Sequence, residues 1–339
     1  MSEIPSTSIS SEQSALVSET STPDEAMEAL ERRIGKTHFR QRLGIERDKE
    51  AKIIGQGRTI FHIENWVILG KIIEYGLILL RMLDRGKRNA RAINLKTHQV
   101  KLSHLPQSFH GYKILQISDC HLDMASDIPH ALIEAIKNVE YDICVFTGDF
   151  RGKTYGDIYA ALEGLEKVRF HLGGQVYAIL GNHDSLTMVP KIEELGIKVL
   201  LNENIRLNNG YDGEDIFLAG VDDPHYYRTD NFEKVSVGIE DHFVSILLAH
   251  TPEIYQLAAH AKFDLTLCGH THGGQICLPG GFPLILNVDC PRRYAYGSWQ
   301  YHDMFGYTSN GAGASVIDVR FNCPPEITLH VLEKPSAFS

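Results

Sequence analysis

Short, uniformly apolar runs punctuate the chain from Tyr112 onward, and each stops at a polar cluster. Ile114–Ser118 precedes Asp119, Ile143–Thr147 precedes Gly148-Asp149, and Val176–Leu180 precedes Gly181-Asn182-His183-Asp184. Phe217–Val221 leads to Asp222-Asp223, Ile246–Ala249 to His250, and Leu265–Cys268 to Gly269-His270. Such runs are too short for helices and too evenly apolar for half-exposed strands, so they predict strands buried on both faces. Helix-like spacing fills the gaps at Ile128–Val139, Ile158–Val168 and Val189–Leu195. Alternating strands and helices predict an α/β layered fold with chemistry at the strand ends. Ser315–Arg320 and Glu326–Leu332 read as strands with no helix between them. They point to a second, mixed sheet. The expected architecture is a four-layer α/β-β/α sandwich of two mixed sheets flanked by helices, with a helical N-terminal extension.

The pattern is different before Tyr112. Residues 1–24 are rich in Ser, Thr and Glu without an apolar core, which predicts a disordered tail and no signal peptide. Residues 25–53 show helical spacing at Ala26, Leu30 and Ile34. From Trp66 to Leu83 the chain is mostly apolar, with Lys71, Glu74 and Arg81 near one stripe, so a helix with a very wide apolar face is expected. A basic run follows at Arg85, Lys87, Arg88, Arg91 and Lys96. Two charges near the middle of the helix make a membrane span costly, at about 2.5–3.5 kcal/mol each. An interfacial helix on anionic lipid, formed by residues 60–91, and a helix packed on the catalytic body are the two expectations. The extension is assigned to residues 25–100 and the catalytic domain to 101–339.

Charge sharpens this division. The net charge of −10 is distributed as −6 over residues 1–30, +10 over 31–101 and −14 over the remainder. An acidic body suits cation binding and argues against a surface that coats nucleic acid; the basic segment suits an anionic surface. The six cysteines form no CxxC pair and no small-domain framework, so they are expected as free thiols in a reducing compartment. The location expected is cytoplasmic, at the inner face of the membrane.

The polar strand ends supply Asp119-x-His121, Asp149, Asn182-His183-Asp184, His250 and His270-x-His272. If the run before His270 is a strand, its period of two sends His270 and His272 to one side. Oxygen and imidazole donors without thiolates suit divalent Mn, Fe, Zn or Co, with Mn favoured, better than Ca or a closed structural Zn site. There are more donors than one ion needs, and carboxylates can bridge ions in two-metal sites that hydrolyse phosphoesters.

Ser118-Asp119-Cys120-His121, Thr147-Gly148-Asp149, Leu180-Gly181-Asn182-His183-Asp184, Ala249-His250 and Gly269-His270-Thr271-His272 occur in this order. In these motifs the chain resembles the calcineurin-like metallophosphoesterase superfamily over about residues 110–335. His272-Gly273-Gly274-Gln275-Ile276, Gly220-Val221-Asp222-Asp223-Pro224 and Cys323-Pro324-Pro325-Glu326-Ile327 look like its bacterial branch of small phosphodiesterases. Some members of that branch cleave the pyrophosphate of UDP-2,3-diacylglucosamine. The resemblance implies two divalent ions, with Asp119, His121 and His272 at one, Asn182, His250 and His270 at the other, and Asp149 bridging. It implies in-line attack on phosphorus by a metal-bound hydroxide, His183 as proton donor and Asp184 as the residue fixing the His183 tautomer. Arg151, Asp222 and His225 are candidate substrate contacts. The chain departs from relatives at Phe150-Arg151-Gly152, which lacks both the tyrosine of purple acid phosphatases and the Val-Asp-Arg-Gly of protein phosphatases. Asn310-Gly311 stands where the bacterial branch often shows arginine before glycine. The expected function is hydrolysis of a phosphodiester or pyrophosphate, with a lipid-linked or nucleotide-sugar substrate. The alternatives are a soluble nucleotide or cyclic-nucleotide phosphodiesterase and a non-catalytic metal-binding scaffold.

Overall fold

The computed structural model describes residues 22–55, 67–210 and 214–335. The tail expected over 1–24, apart from its last three residues, and the apolar stretch up to Trp66 lie outside the described residues. Two six-stranded sheets carry the body. The first has the order β1-β14-β2-β3-β4-β5, from Asn94–Lys101 (β1), Lys113–Ile117 (β2), Ile143–Phe146 (β3), Gln175–Ala178 (β4), Ile197–Val199 (β5) and Glu326–Glu333 (β14). The second has the order β12-β13-β9-β8-β7-β6, from Glu203–Asn208 (β6), Asp215–Gly220 (β7), Val244–Leu248 (β8), Leu265–Cys268 (β9), Gly297–Tyr301 (β12) and Met304–Thr308 (β13). A small hairpin pairs Cys277–Leu278 (β10) with Phe282–Pro283 (β11). Both sheets are mixed: β2 to β5 run parallel while β14 pairs antiparallel with β2, and β7 to β9 run parallel while β6 pairs antiparallel with β7.

The side-chain period of two explains the uniformly apolar runs. In β3, Ile143 and Val145 enter the core between the sheets, while Cys144 and Phe146 enter the core outside the first sheet. In β8, Ile246 and Leu248 face the inner core, and Leu247 faces the core outside the second sheet. The first outer core is closed by Ile128–Ile136 (α5), Tyr159–Arg169 (α6) and Val189–Glu194 (α7). The second is closed by Phe232–Val235 (α8) and Tyr255–His260 (α9). With both faces of each sheet covered, alternation of polar and apolar residues disappears.

Three boundaries differ from expectation. The first sheet begins at Asn94, because β1 pairs along its whole length with β14, so it extends six residues before position 100. Ser315–Arg320 is not a strand. The side-chain amide of Gln275 donates to the carbonyls of Ser315 and Ile317 and accepts from the Ser315 amide, taking the place of a neighbouring strand. The first helix starts at Pro23, where Thr22 and Glu25 form a reciprocal capping box.

The N-terminal extension is bonded to the catalytic body. Pro23–Ile34 (α1) buries Leu30 and Ile34 in the first outer core. Lys36–Gly55 (α2) carries His38, Arg42 and Glu46, four residues apart on one face. Arg42 is fully buried and pairs with Asp222 at 3.3 Å and Glu46 at 3.1 Å. His38 Nε2 bonds Asp222 Oδ2 at 2.8 Å. Val67–Leu79 (α3) and Leu83–Arg91 (α4) follow. Gly86 lets α4 lie against Val319 and Phe321, since a Cβ there would come within 2.8 Å of both side chains.

Burial alone would raise the pKa of Asp222, but Arg42 and His38 outweigh it and hold the carboxyl well below the usual range. Removing Arg42 leaves an uncompensated buried charge, so Arg42→Met should cost about 3–5 kcal/mol. Because the folded pKa is depressed, the contribution of Asp222 is complete above about pH 4 and is lost as pH falls through the lowered value. Thermal melts of wild type and Asp222→Asn should therefore differ widely at about pH 7, begin to approach each other only below about pH 4 and converge as pH falls through the lowered Asp222 value. A difference that stays constant with pH would show that the carboxylate charge is not what holds α2.

Candidate metal centre

Parallel strands of both sheets end at one edge, and the residues after β2, β3, β4, β8 and β9 meet there. Three overlapping groups of ligating atoms form: Asp119, His121 and His272 make the first, Asp149, His250 and His270 the second, and His121, Asp149 and His183 a third that joins them. In the first, His121 Nε2 lies 3.0 Å from His272 Nε2, and Asp119 Oδ1 lies 3.8 Å from the latter. In the second, His250 Nε2 lies 2.8 Å from Asn182 Oδ1 and 3.3 Å from Asp149 Oδ2. His270 Nδ1 lies 2.9 Å from Asn182 Oδ1 and 3.2 Å from His250 Nε2. Asp149 Oδ2 stands between the groups, 3.3 Å from His250 and 3.9 Å from His121.

Backbone carbonyls orient three of the four imidazoles. His121 Nδ1 donates to Arg151 O at 2.7 Å, His250 Nδ1 to Thr147 O at 2.8 Å and His270 Nε2 to Asn287 O at 2.8 Å. Each donation leaves the opposite nitrogen as a lone pair directed into the centre. His272 differs: its Nδ1 faces Nη2 of the buried Arg320 at 3.1 Å, a donor. Arg320 otherwise donates to the carbonyls of Gly313, His272, Asn310 and Gly311.

The donor set therefore fits a cation. His250, His270, Asn182 Oδ1 and Asp149 Oδ2 are acceptors packed at hydrogen-bond distance, and buried acceptors without a proton between them repel. The electrostatics of the site make the same demand. Burial pulls His250 down, yet Asp149 beside it raises it to about 10, while His250 and His183 hold Asp149 well below the usual carboxylate range against its burial. Burial lowers His121 to about 4 and places His270 and His272 well below the ordinary imidazole value. Neutral His121, His270 and His272 beside an ionised Asp149 are the protonation states a divalent metal requires, and a bound cation would displace the proton that Asp149 holds on His250.

The backbone is strained where it carries these ligands. Asp119, His121, Asp149, His270 and His272 have φ of 51, 44, 59, 72 and 49°. Left-handed non-glycine residues cost on the order of 1–3 kcal/mol each and persist where the surroundings impose them. Asp184 imposes much of this: it accepts from the amides of Asp149 at 2.8 Å, Phe150 at 2.9 Å and Gly181 at 2.9 Å. Asp119 in turn accepts from the His270 amide at 2.9 Å.

Asp184 thus braces the loops and makes no bond to His183, whose Nδ1 has no hydrogen-bond partner among the described residues. The tautomer role expected of Asp184 is corrected accordingly. His183 itself reaches the centre, with Nε2 3.8 Å from Asp149 Oδ2. Arg151 is buried, donates from Nε to the His183 carbonyl and from Nη1 to the Gly156 carbonyl, and does not line the cavity that opens onto the centre. Asp222 is enclosed by His38, Arg42 and Thr229 and is likewise no substrate contact. His225 packs tilted against His270, ring centroids 4.2 Å apart, and pairs with Glu253. Sequence reasoning missed Arg42, which also donates to Asp184 O at 3.0 Å, and Glu46, which accepts from the Ser185 hydroxyl and the Leu186 amide. Their four-residue spacing was the available signal.

A cavity of about 360 Å³ opens onto Asp149, His183, His270 and His272. Its walls are apolar: Ile73 from α3, Ile276, Leu284, Ile285, Val316 and Ile317.

Residues 112–274 match the calcineurin-like phosphoesterase family. Among the relatives is a Bacillus subtilis metallophosphoesterase, YkuE, 30% identical over 71% of this chain and 86% of its own length. Another from the same organism, YkoQ, is 28% identical over 75% of this chain and 96% of its own. A Bos taurus transmembrane protein with metallophosphoesterase domain is 31% identical over 70% of this chain and 56% of its own. The chain belongs to the calcineurin-like metallophosphoesterases. It is a metal-dependent phosphoesterase, and the clustered His and Asp residues are a donor set that fits a divalent metal.

A Cβ on Gly269 would collide with Ser118 Oγ and the Asp119 carboxylate. Gly269→Ala should therefore displace Asp119 and lower bound metal, read by elemental analysis of the purified protein, by about tenfold or more. Metal content equal to wild type would show that Asp119 does not depend on this close approach.

Proposed function

We propose that the chain is a dinuclear hydrolase that cleaves a phosphodiester or pyrophosphate bond in an amphiphilic, lipid-linked or nucleotide-sugar substrate. The observation that carries the dinuclear reading is the position of Asp149 Oδ2 between two complete groups of donors. Asp119, His121 and His272 would hold one ion and Asn182, His250 and His270 the other, with Asp149 shared. When bound, the ions supply Lewis acidity to the phosphoryl oxygens and lower the pKa of water. Manganese is the metal favoured for this donor set, with Fe, Zn and Co as alternatives.

The chain's own residues do the rest. His183 stands at the cavity floor and donates its Nε2 proton to the oxygen that leaves as the P–O bond breaks. Asp184 keeps the Asp149 and Gly181 loops in register, so that both donor groups stay convergent. His225 packs against the His270 ring and supports it. The apolar cavity walls favour a substrate with a hydrocarbon portion, as in the similarity to the bacterial branch that includes UDP-2,3-diacylglucosamine pyrophosphatases. A soluble nucleotide or cyclic-nucleotide substrate is the second reading; the polar floor alone would serve it.

Metal-stripped protein should regain hydrolysis on addition of Mn, and His183→Ala should lose about 10²–10⁴-fold in kcat with its metal content unchanged. An unaltered kcat would remove His183 as proton donor. In a panel of diacylated UDP-sugars, short phosphodiesters and cyclic nucleotides, the acylated substrates should show the highest kcat/KM. A preference for cyclic nucleotides would establish the second reading.

A further inference from the structure

Apolar side chains are exposed on both sides of the cavity mouth. On α3, Ile72, Tyr75, Ile78 and Leu79 are 63, 71, 50 and 85% exposed, and Leu80 follows at 67%. Opposite them the hairpin segment exposes Leu278, Phe282, Leu284 and Ile285 at 46, 55, 54 and 55%. Ile73 from α3 and Leu284 and Ile285 from the hairpin segment line the same cavity, so the two sets flank one opening. Single exposed apolar residues are ordinary, but a cluster around a site mouth marks an interaction surface.

The charges beside this surface identify what covers it. Arg81, Arg85, Lys87 and Arg88 are exposed along α4 and its entrance, with Asp84 the exposed acid among them. At the foot of the hairpin Arg292 and Arg293 are exposed; the Arg292 guanidinium lies 4.7 Å from the Phe282 ring and donates to Pro283 O at 2.9 Å. Away from residues 31–101 the chain is acidic, with −14 over residues 102–339. A partner that accepts an apolar face and attracts a basic rim is a bilayer with acidic headgroups. Among the described residues no helix is long and apolar enough to cross a membrane.

We propose that α3, α4 and the β10–β11 hairpin form a docking face for an anionic bilayer and hold the cavity mouth against it. The docking stands on the exposed face and its charges. Only the corollary, that substrate enters the cavity from the lipid, rests on the function proposed above.

The test is co-sedimentation of the full chain with vesicles of phosphatidylcholine alone and of phosphatidylcholine with phosphatidylglycerol, read without turnover. The chain should bind the anionic vesicles at least about tenfold more tightly, less so in high salt. Leu79→Glu with Leu80→Glu, Phe282→Ser, and Arg85→Glu with Arg88→Glu should each weaken binding about tenfold or more. Hydrolysis of a short soluble diester should be unchanged in these variants, which establishes that they fold. Failure of wild type to bind anionic vesicles, or variants that bind as tightly as wild type, would overturn the proposal. So would a wild-type dimer, seen by sedimentation velocity, that the Leu79→Glu, Leu80→Glu variant dissociates while vesicle binding is absent, because the face would then join two copies. Vesicle binding without cleavage of acylated substrates would leave the docking intact and remove the substrate reading alone.

Discussion

One carboxylate braces the centre. Asp184 accepts from the amides of Asp149, Phe150 and Gly181, and so ties the turn after β3 to the turn after β4. Asp149 is in the left-handed region, where a non-glycine residue does not stay by its own preference. Bonded amides on both sides of the strained peptide keep it there. The consequence is the placement of Asp149 Oδ2 between the two groups of imidazoles, with His183 delivered by the same loop. Burial raises the Asp184 pKa, as does the neighbouring Asp149, so this brace is itself a desolvated charge that its hydrogen bonds must stabilise.

A second layer of support comes from outside the two-sheet body. Arg42 of α2 donates to the carbonyl of Asp184 and pairs with Asp222, while Glu46 holds Ser185 and Leu186. The N-terminal helices thus fix the segment that follows the catalytic loop. On the opposite side, Arg320 gathers the carbonyls of His272, Asn310 and Gly313 behind the last ligand. Two fully buried arginines therefore bracket the centre, one paired with carboxylates and one with carbonyls. The cations stand behind the ligands, where they support the loops without occupying the cavity.

Much of this was legible in the chain because parallel strands covered on both faces leave a plain signature. The runs before Asp119, Asp149, Asn182, His250 and His270 end at the observed strand ends to within a few residues. The strand expected at Ser315–Arg320 does not form, because Gln275, forty residues away in sequence, supplies the hydrogen bonds that define that segment. Arg151 and Asp222 were plausible anion and substrate contacts by position. Their side chains are committed to partners that only folding brings near, the carbonyls of His183 and Gly156 for one and α2 for the other. Asp184 was expected to hold the His183 imidazole, yet its carboxylate accepts from the amides of Asp149, Phe150 and Gly181 across the loop.

The sequence by itself determined the alternating elements, the family and the inventory of oxygen and nitrogen donors, because buried strands and ligand types are local properties of the chain. Tertiary structure decided which donors share a group, which ring nitrogen of each histidine faces inward and that an apolar cavity leads to them. Those properties depend on carbonyls, buried cations and side chains drawn from α2, α3 and the loop before β14. Distances between such remote segments are set by the packing of the two sheets and are absent from any local pattern.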